Sequence, residues 1–245
     1  MFPIIKFGPR ILQSQPLILL IAFWIGTSLT KSSAKKLGLD IKATDNLVYL
    51  SLIGGLVGAR LVYVFQYWSI FSRDFVAIFA LNLNSISPIG GLFVGLLTAY
   101  WYARRKAIAN RKLLDVLTPS LIILAAGLAL ADLASGNGYG MPVQLPWSIS
   151  LWGEWRHPVQ IYDLLAVLVI LVVLRRLSKP FDGAYFGLFV ILYAASRLFF
   201  EAFHGDSLNF SGVRVVQFWS LLALIVMLFV LRYWAKNETQ LLVSS

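Results

Sequence analysis

Long apolar stretches dominate the pattern of this sequence. Seven of them are long enough, or nearly so, to cross the roughly 30 Å hydrocarbon core of a bilayer as helices. They are predicted at residues 16–30, 47–68, 88–103, 113–131, 159–174, 183–200 and 213–234. The segments of alternating polarity typical of outer-membrane barrels are absent from the sequence. The pattern therefore predicts an all-α integral membrane protein with about seven transmembrane helices. It forms one domain over residues 1–245, with short polar tails at 1–15 and 235–245.

Composition supports a membrane protein and narrows its chemistry. Hydrophobic residues make up 59% of the chain and charged residues 13%, about half the charge of an ordinary soluble domain. The chain has no cysteine, which excludes disulfide frameworks, thiolate metal sites and thiol nucleophiles. For the same reason the chain is not itself a lipoprotein, since it lacks the residue that would carry the lipid.

The distribution of basic residues predicts the orientation. The loops that follow odd-numbered spans, together with the C-terminus, hold 14 of the 21 Lys and Arg residues, and the opposite side holds five. The positive-inside rule therefore places the N-terminus outside and the C-terminus in the cytoplasm. This asymmetry and an attraction to anionic lipid headgroups account for the net charge of +10, so no nucleic-acid partner is expected.

Two arginines fall inside predicted spans, where an ionisable side chain is costly and suggests function. Arg60 follows the small residues Gly54, Gly55 and Gly58, a face that would allow a close helix approach. It either binds a lipid phosphate or snorkels to anchor a helix end. Tyr63 lies one turn further on the same face.

The second arginine belongs to a polar stripe on the sixth span. Tyr193, Arg197 and Glu201 are spaced four residues apart, which places them on one helix face. A guanidinium steadied by a carboxylate suits a phosphate group, and this stripe is the best candidate site. The alternative is a structural ion pair between Arg197 and Glu201.

A glycine-rich segment follows the fourth span. Asp132 leads into a run that includes Gly136, Asn137 and Gly140, and its glycines predict positive φ angles and close backbone approaches. The segment either cradles a phosphate with backbone amides or forms a turn against a neighbouring helix.

A third polar segment opens the fifth span. His157 and Gln160 flank Pro158, which suits the first turn of a helix. His157 is either a hydrogen-bonding partner at the outer interface or a base. His204, in a polar loop beyond Glu201, is given no role.

Several function classes are disfavoured by missing residues. The two histidines are not central in a span, which argues against a buried haem, and the last span has no lysine for retinal before Lys236. The sequence has no Walker loop and no paired-histidine metalloprotease motif. No repeat between the halves supports a secondary transporter.

Taken together, these motifs resemble the bacterial prolipoprotein diacylglyceryl transferases, over about residues 16–234. The resemblance lies in Asp-Asn-Leu at 45–47, Gly-Ala-Arg-Leu-Val-Tyr at 58–63, Gly-Gly-Leu at 90–92, Tyr-Ala-Arg-Arg-Lys at 102–106, the glycines and tyrosine of 136–140, Arg-His-Pro-Val-Gln-Ile-Tyr-Asp at 156–163, Tyr-Ala-Ala-Ser-Arg-Leu-Phe-Phe-Glu at 193–201 and Gln-Phe-Trp-Ser at 217–220.

The resemblance implies a multi-pass enzyme of the bacterial cytoplasmic (inner) membrane. It would move diacylglycerol from phosphatidylglycerol to the lipobox cysteine of a preprolipoprotein, forming a thioether and releasing glycerol phosphate. Arg60 would bind lipid phosphate, as would Gly136, Asn137, Gly140, His157 and Gln160. The catalytic group would comprise Arg197, Glu201, Tyr193 and Asp132. The family implies no metal and no cofactor.

The sequence departs from the family pattern at four positions of its motifs. Ile89 stands where the pattern has a histidine, and Ala129 stands where it has an arginine. Asp132 and Asn137 replace an asparagine and a glutamate, and Asp132 is a candidate replacement base. An active transferase is the first hypothesis. The second is a catalytically lapsed relative, a lipid-binding or structural subunit of a membrane complex.

Overall fold

The computed structural model describes residues 4–7, 10–79 and 85–244, and most of them are helical. The helices are α1 (Ser14–Leu37), α2 (Ile41–Gln66), the short α3 (Trp68–Phe71), α4 (Pro88–Arg105), α5 (Asn110–Ser135), α6 (Val159–Arg176), α7 (Ala184–Phe200) and α8 (Val215–Ser244). Short 3₁₀ turns lie at Val76–Phe79 and Glu201–Phe203. Three antiparallel hairpins pair β1 (Ile4–Phe7) with β2 (Arg10–Gln13), β3 (Ile149–Leu151) with β4 (Glu154–Arg156), and β5 (Asn209–Phe210) with β6 (Val213–Arg214).

Each of the seven predicted apolar stretches coincides with a long helix, which supports the all-α membrane fold. Five helices are long and apolar enough to cross a membrane: Ser14–Leu37, Ile41–Gln66, Asn110–Ser135, Ala184–Phe203 and Val215–Glu238. The other two, α4 and α6, are shorter, with 18 residues each, and each ends in two arginines. The number of spans and the orientation of the termini therefore remain predictions.

The chain divides into two compact units, one of which spans residues Ala34–Leu113. Within it, α2 packs against α4 through small residues, which confirms the close helix approach predicted for this face. A Cβ atom added at Gly58 would lie 2.3 Å from the Cβ of Val94, and one added at Gly91 would lie 2.8 Å from the Cβ of Ala59. Helix α4 begins at Pro88, where the Ser87 hydroxyl accepts a hydrogen bond from the Gly90 amide at 3.3 Å.

The second unit comprises Met1–Ser33 and Leu114–Ser245 and contains most of the polar side chains of interest. Its apolar core joins α5, α6 and α7 through Ile122, Ala126, Val167, Ile170, Leu174 and Phe189. Helix α7 also packs closely on α8, since a Cβ atom at Gly187 would lie 2.4 Å from Leu231. Helix α7, which carries Arg197, is therefore held from two sides.

A buried carboxylate fixes the start of α7. Asp115 on α5 is 1% exposed and accepts hydrogen bonds from the amides of Gly183 at 2.7 Å and Phe186 at 3.0 Å. The Lys179 ammonium lies 3.2 Å from Asp115 and also donates to Asp182. Burial lowers the pKa of Lys179, but the hydrogen bonds and charges of Asp182 and Asp115 outweigh it and raise this pKa above its usual 10.5.

Short hairpins and bridges organise the segments between the long helices of this second unit. Hairpin β3–β4 turns at Trp152 and Gly153, both with positive φ angles, and the Trp152 indole donates to the Gly136 carbonyl at 3.1 Å. An isolated β-bridge pairs Gly140 with His204. The loop after α5 is thereby joined to the loop after α7. The sequence pattern does not predict these strands, because two or three residues are too few to show an alternation.

Candidate functional site

The polar stripe of α7 places a guanidinium between two carboxylates. Nη2 of Arg197 donates to Oε2 of Glu201 at 2.8 Å, as the four-residue spacing predicts. Nη1 donates to Oδ2 of Asp163 on α6 at 2.5 Å. Asp163 ends the family motif at 156–163, but the sequence alone does not assign it to the site. Its separation from Arg197 in the chain gives no periodic signal, so only the packing of α6 against α7 reveals it.

Glu201 is fully engaged in holding this arrangement. Its side chain is 2% exposed, and its second oxygen, Oε1, accepts a hydrogen bond from the Ser207 hydroxyl at 2.6 Å. Its backbone carbonyl accepts from Arg214, which also donates to the His204 carbonyl at 2.8 Å. These bonds favour a positioning role for Glu201, because both of its oxygens are used to orient Arg197 and the loop after α7.

His204 belongs to this group of side chains, although the sequence assigns it no role. The structure corrects that interpretation, since the imidazole is 7% exposed and is held among charged side chains. Its Nε2 lies 3.3 Å from both Nη1 of Arg197 and Oδ2 of Asp163. Its Nδ1 lies 3.5 Å from Oδ1 of Asp206. The sequence predicts a polar loop at position 204 because the 3₁₀ turn before it is only three residues long.

Asp132 and Tyr193 lie near the same group. The Asp132 carboxylate interacts electrostatically with Asp206, Asp163, Arg197 and His204. Tyr193 interacts electrostatically with Arg197, Asp163 and Asp132, and its ring stacks on Phe189 with centroids 5.7 Å apart. Asp132 and Tyr193 therefore lie within electrostatic range of Arg197, and the catalytic roles of the four residues remain predictions.

The glycine-rich segment is a turn packed on the start of α6. Gly136 and Gly138 have positive φ angles of 81° and 58°, as predicted, and the Asn137 carbonyl accepts from Gln160 at 2.8 Å. A Cβ atom at Gly140 would lie 2.3 Å from the His157 carbonyl oxygen. These contacts favour a turn against a neighbouring helix over a phosphate cradle.

Gln160 and His157 are both held at the entry to α6. Gln160 is 2% exposed and, among the residues that the structure describes, its Oε1 has no hydrogen-bond partner. Nδ1 of His157 lies 3.3 Å from the Tyr162 hydroxyl, which accepts from the Trp147 indole at 2.9 Å. The His157 ring also packs on Phe203, with centroids 5.1 Å apart. The contact with Tyr162 supports the interpretation of His157 as a hydrogen-bonding partner.

Arg60 belongs to the unit of residues 34–113 and has a bonding pattern of its own. Its Nε, Nη1 and Nη2 donate to the carbonyls of Ile78, Ser85 and Ala77 at 3.0, 2.7 and 2.6 Å. The guanidinium also lies over the Phe71 ring, 5.2 Å from its centroid. Arg60 therefore braces the connection between α3 and α4 in this structure. Its binding of lipid remains a prediction.

Positions 89 and 129, which depart from the family pattern, differ in environment. Ile89 lies in the first turn of α4 and is 82% exposed, whereas Ala129 on α5 is 7% exposed. The side chain at position 129 is thus packed among others, while that at position 89 is open. A histidine at 89 would meet little steric resistance.

Comparison with known proteins identifies the family. A family model of prolipoprotein diacylglyceryl transferases matches residues 4–233. Relatives named phosphatidylglycerol–prolipoprotein diacylglyceryl transferase include one from Clostridioides difficile strain 630, 27% identical over 204 residues and 82% of each chain. Another, from Finegoldia magna, is 28% identical over 84% of this chain and 86% of its own. A third, from Streptococcus pyogenes serotype M5, is 28% identical over 93% of each. The match covers nearly the whole chain, including the Arg197 group, and the chain belongs to the prolipoprotein diacylglyceryl transferase family.

Proposed function

We propose that this chain transfers a diacylglyceryl group from phosphatidylglycerol to the cysteine thiol of a prolipoprotein. The names of its relatives support this substrate pair. The observation that carries the proposal is the guanidinium of Arg197, held between Glu201 and Asp163. A planar cation fixed in this way can bind a phosphate through parallel hydrogen bonds.

Arg197 keeps donors available for such a phosphate. Among the described residues, its hydrogen bonds to Asp163 and Glu201 and its contact with His204 involve Nη1 and Nη2. A guanidinium has five N–H groups, so Nε–H and one further N–H remain to donate hydrogen bonds to a ligand. As the bond from carbon to phosphate breaks, negative charge grows on the departing glycerol phosphate. A fixed cation stabilises that charge without having to reorganise.

The remaining site residues are assigned supporting roles. Glu201 and Asp163 position the guanidinium of Arg197. Tyr193 and Asp132 line its surroundings. Arg60 is assigned to lipid binding, as are His157, Gln160 and the turn that contains Gly136, Asn137 and Gly140.

The proposed membrane arrangement follows from the charges of the loops. We infer that α4 and α6 also cross the membrane, giving seven spans in one domain of the bacterial cytoplasmic membrane. The excess of basic residues in the loops after odd-numbered spans would place the C-terminus in the cytoplasm. The Arg197 group, at the opposite end of α7 from Lys179, would then face the outside, where exported prolipoproteins arrive.

The orientation has a direct test, because the chain contains no cysteine. Ser150→Cys and Ser178→Cys would each introduce a single thiol at an exposed position. In intact cells, a membrane-impermeant maleimide should label Ser150→Cys, and should label Ser178→Cys only after the membrane is opened. The reverse pattern would refute the orientation.

Transfer itself is tested with purified protein in nanodiscs that contain phosphatidylglycerol labelled in its acyl chains. Wild type should move the label to a lipobox peptide. Arg197→Lys, which keeps the charge but loses the planar fork, should reduce transfer by at least about 100-fold. Arg73→Ala is the matched control, since Arg73 is an exposed arginine in the loop between α3 and α4. Wild-type protein that retains phosphatidylglycerol but transfers nothing would refute the proposal and would favour a lapsed, lipid-binding relative.

A further inference from the structure

The His204 imidazole has a carboxylate beside each of its two ring nitrogens. Nε2 lies 3.3 Å from Asp163 Oδ2, and Nδ1 lies 3.5 Å from Asp206 Oδ1. When such a ring takes up a second proton, both of its N–H groups already face an anion. These two contacts hold the ring in one orientation.

The same imidazole touches the residue proposed to bind phosphate. Nε2 of His204 lies 3.3 Å from Nη1 of Arg197, so the imidazole adjoins the guanidinium, whose Nε–H and one further N–H are left for a phosphate oxygen. The backbone also keeps the ring in place: the His204 carbonyl accepts from Arg214, and the His204 amide donates to the Glu201 carbonyl at 3.2 Å. The imidazole is therefore held in a fixed position beside the guanidinium of Arg197.

We propose that His204 carries the proton of the transfer reaction, taking it from the acceptor thiol and giving it to the departing phosphate. This inference rests on the proposed function. It assigns a chemical role to a residue that stands outside the family pattern recognised in the sequence. The histidine of that pattern is replaced by Ile89 in this chain.

The bond changes balance around His204. The S–H bond of the cysteine breaks, and its proton goes to Nε2. The sulfur forms a bond to the terminal glycerol carbon of the diacylglyceryl group, and the bond from that carbon to the phosphate oxygen breaks. The electron pair leaves with the phosphate oxygen. The imidazolium then protonates the phosphate, so glycerol phosphate departs as a monoanion and His204 is neutral again.

Histidine suits both halves of this exchange. It is the side chain whose charge ordinarily changes between pH 5 and 8, and a phosphate monoester dianion takes up a proton to become a monoanion near pH 6. A thiol titrates near pH 8.5, so a carboxylate such as Asp132 is a much weaker match as its base. The other histidine, His157, faces the Tyr162 hydroxyl and packs on Phe203.

The pH dependence of transfer provides a specific test. The charged groups that contact the imidazole are Asp163 from α6, Arg197 from α7 and Asp206 from the loop beyond the 3₁₀ turn, and Asp132 from α5 interacts with it electrostatically. Two more charged groups lie beside these: Glu201 pairs with Arg197, and Arg214 donates to the His204 carbonyl. If neutral His204 accepts the thiol proton, kcat should rise with pH along an acid-side limb. His204→Gln, which retains an amide for hydrogen bonding, should lower kcat by about 100-fold or more and abolish that limb.

The controls separate the loss of a proton carrier from the loss of the site. Leu208→Ala changes an exposed side chain of the same loop and should keep the wild-type rate and pH profile. His204→Gln should still retain phosphatidylglycerol through purification, whereas a collapsed site would release it. If His204→Gln does not fold, the wild-type profile still decides, because the absence of an acid-side limb between about pH 5 and 8 overturns the inference.

The outcomes also distinguish this inference from the function on which it rests. If the wild type is active and the transfer rate of His204→Gln is within about tenfold of the wild-type rate, the role of His204 is overturned and the transferase function stands. Wild type without any transfer would overturn both. The expected result is that the wild type is active and that His204→Gln alone shows a lower rate and no acid-side limb.

Discussion

Replacing Asp115 tests how α7, the helix that carries Arg197, is held in place. The Asp115 carboxylate accepts hydrogen bonds from the amides of Gly183 at 2.7 Å and Phe186 at 3.0 Å and lies 3.2 Å from the Lys179 ammonium. Gly183 immediately precedes α7 and Phe186 lies in its first turn, where backbone N–H groups have no partner within the helix. Asp115→Ala leaves both amides buried without this acceptor.

The size of the effect follows from these bonds. A hydrogen bond to a charged group contributes about 1.5–3 kcal/mol, and Asp115→Ala removes two of them. Lys179 keeps Asp182 as a partner, which limits the further loss from the ion pair. We expect Asp115→Ala to lower the free energy of unfolding by about 3–5 kcal/mol. Asp115→Asn retains one neutral acceptor oxygen and should cost about half as much.

Asp182→Asn is the matched control for these variants. Asp182 pairs with the same Lys179, but its side chain is 42% exposed, and an ion pair of that kind contributes at most about 1 kcal/mol. Unfolding can be followed by circular dichroism during titration of mixed micelles with sodium dodecyl sulfate, with transfer measured on the same preparations. Equal losses for Asp115→Ala and Asp182→Asn would refute the conclusion that the buried carboxylate anchors α7.

Three further changes probe other parts of the molecule. Glu201→Gln preserves shape but removes the charge facing Arg197; kcat/KM for transfer should fall about tenfold to 100-fold, and an unchanged value would exclude an orienting role for that charge. Gly58→Val adds atoms where even a Cβ would lie 2.3 Å from Val94, so the free energy of unfolding should drop by about 1–3 kcal/mol; wild-type stability would contradict the tight packing of α2 on α4. Because the pKa of Lys179 is raised, its stabilising contribution is complete below its unfolded value of 10.5 and is lost as the pH rises through the folded value. The stability difference between wild type and Lys179→Met should therefore shrink in strong alkali, and a constant difference would argue against the ion pairs.

The helices could be read from the sequence because apolar runs of this length have few alternatives. Local spacing was equally informative for Arg197 and Glu201, since residues four apart on a helix must be neighbours. Asp163 and His204 were not assigned because their proximity to Arg197 depends on how α6 and a short 3₁₀ turn pack. A buried imidazole cannot be distinguished from a loop histidine by its sequence neighbours alone.

Arg60 shows a different limit of sequence reasoning. Its position in a span marked it as unusual, but a charged side chain at membrane depth can be satisfied by backbone carbonyls as well as by a ligand. In the structure, the carbonyls of Ala77, Ile78 and Ser85 accept its hydrogen bonds. A sequence pattern carries no information about such partners, because every residue has a carbonyl.

The β-bridge between Gly140 and His204 has a consequence for the biogenesis of this protein. The bridge joins a loop that is translated before α6 to a loop that is translated only after α6 and α7. A ribosome-bound chain that ends before His204 can insert its first helices but cannot yet align Asp163, Arg197 and the imidazole. Assembly of the polar group is therefore a late event, and a nascent chain stalled between α6 and α7 should sit in the membrane without a phosphate site.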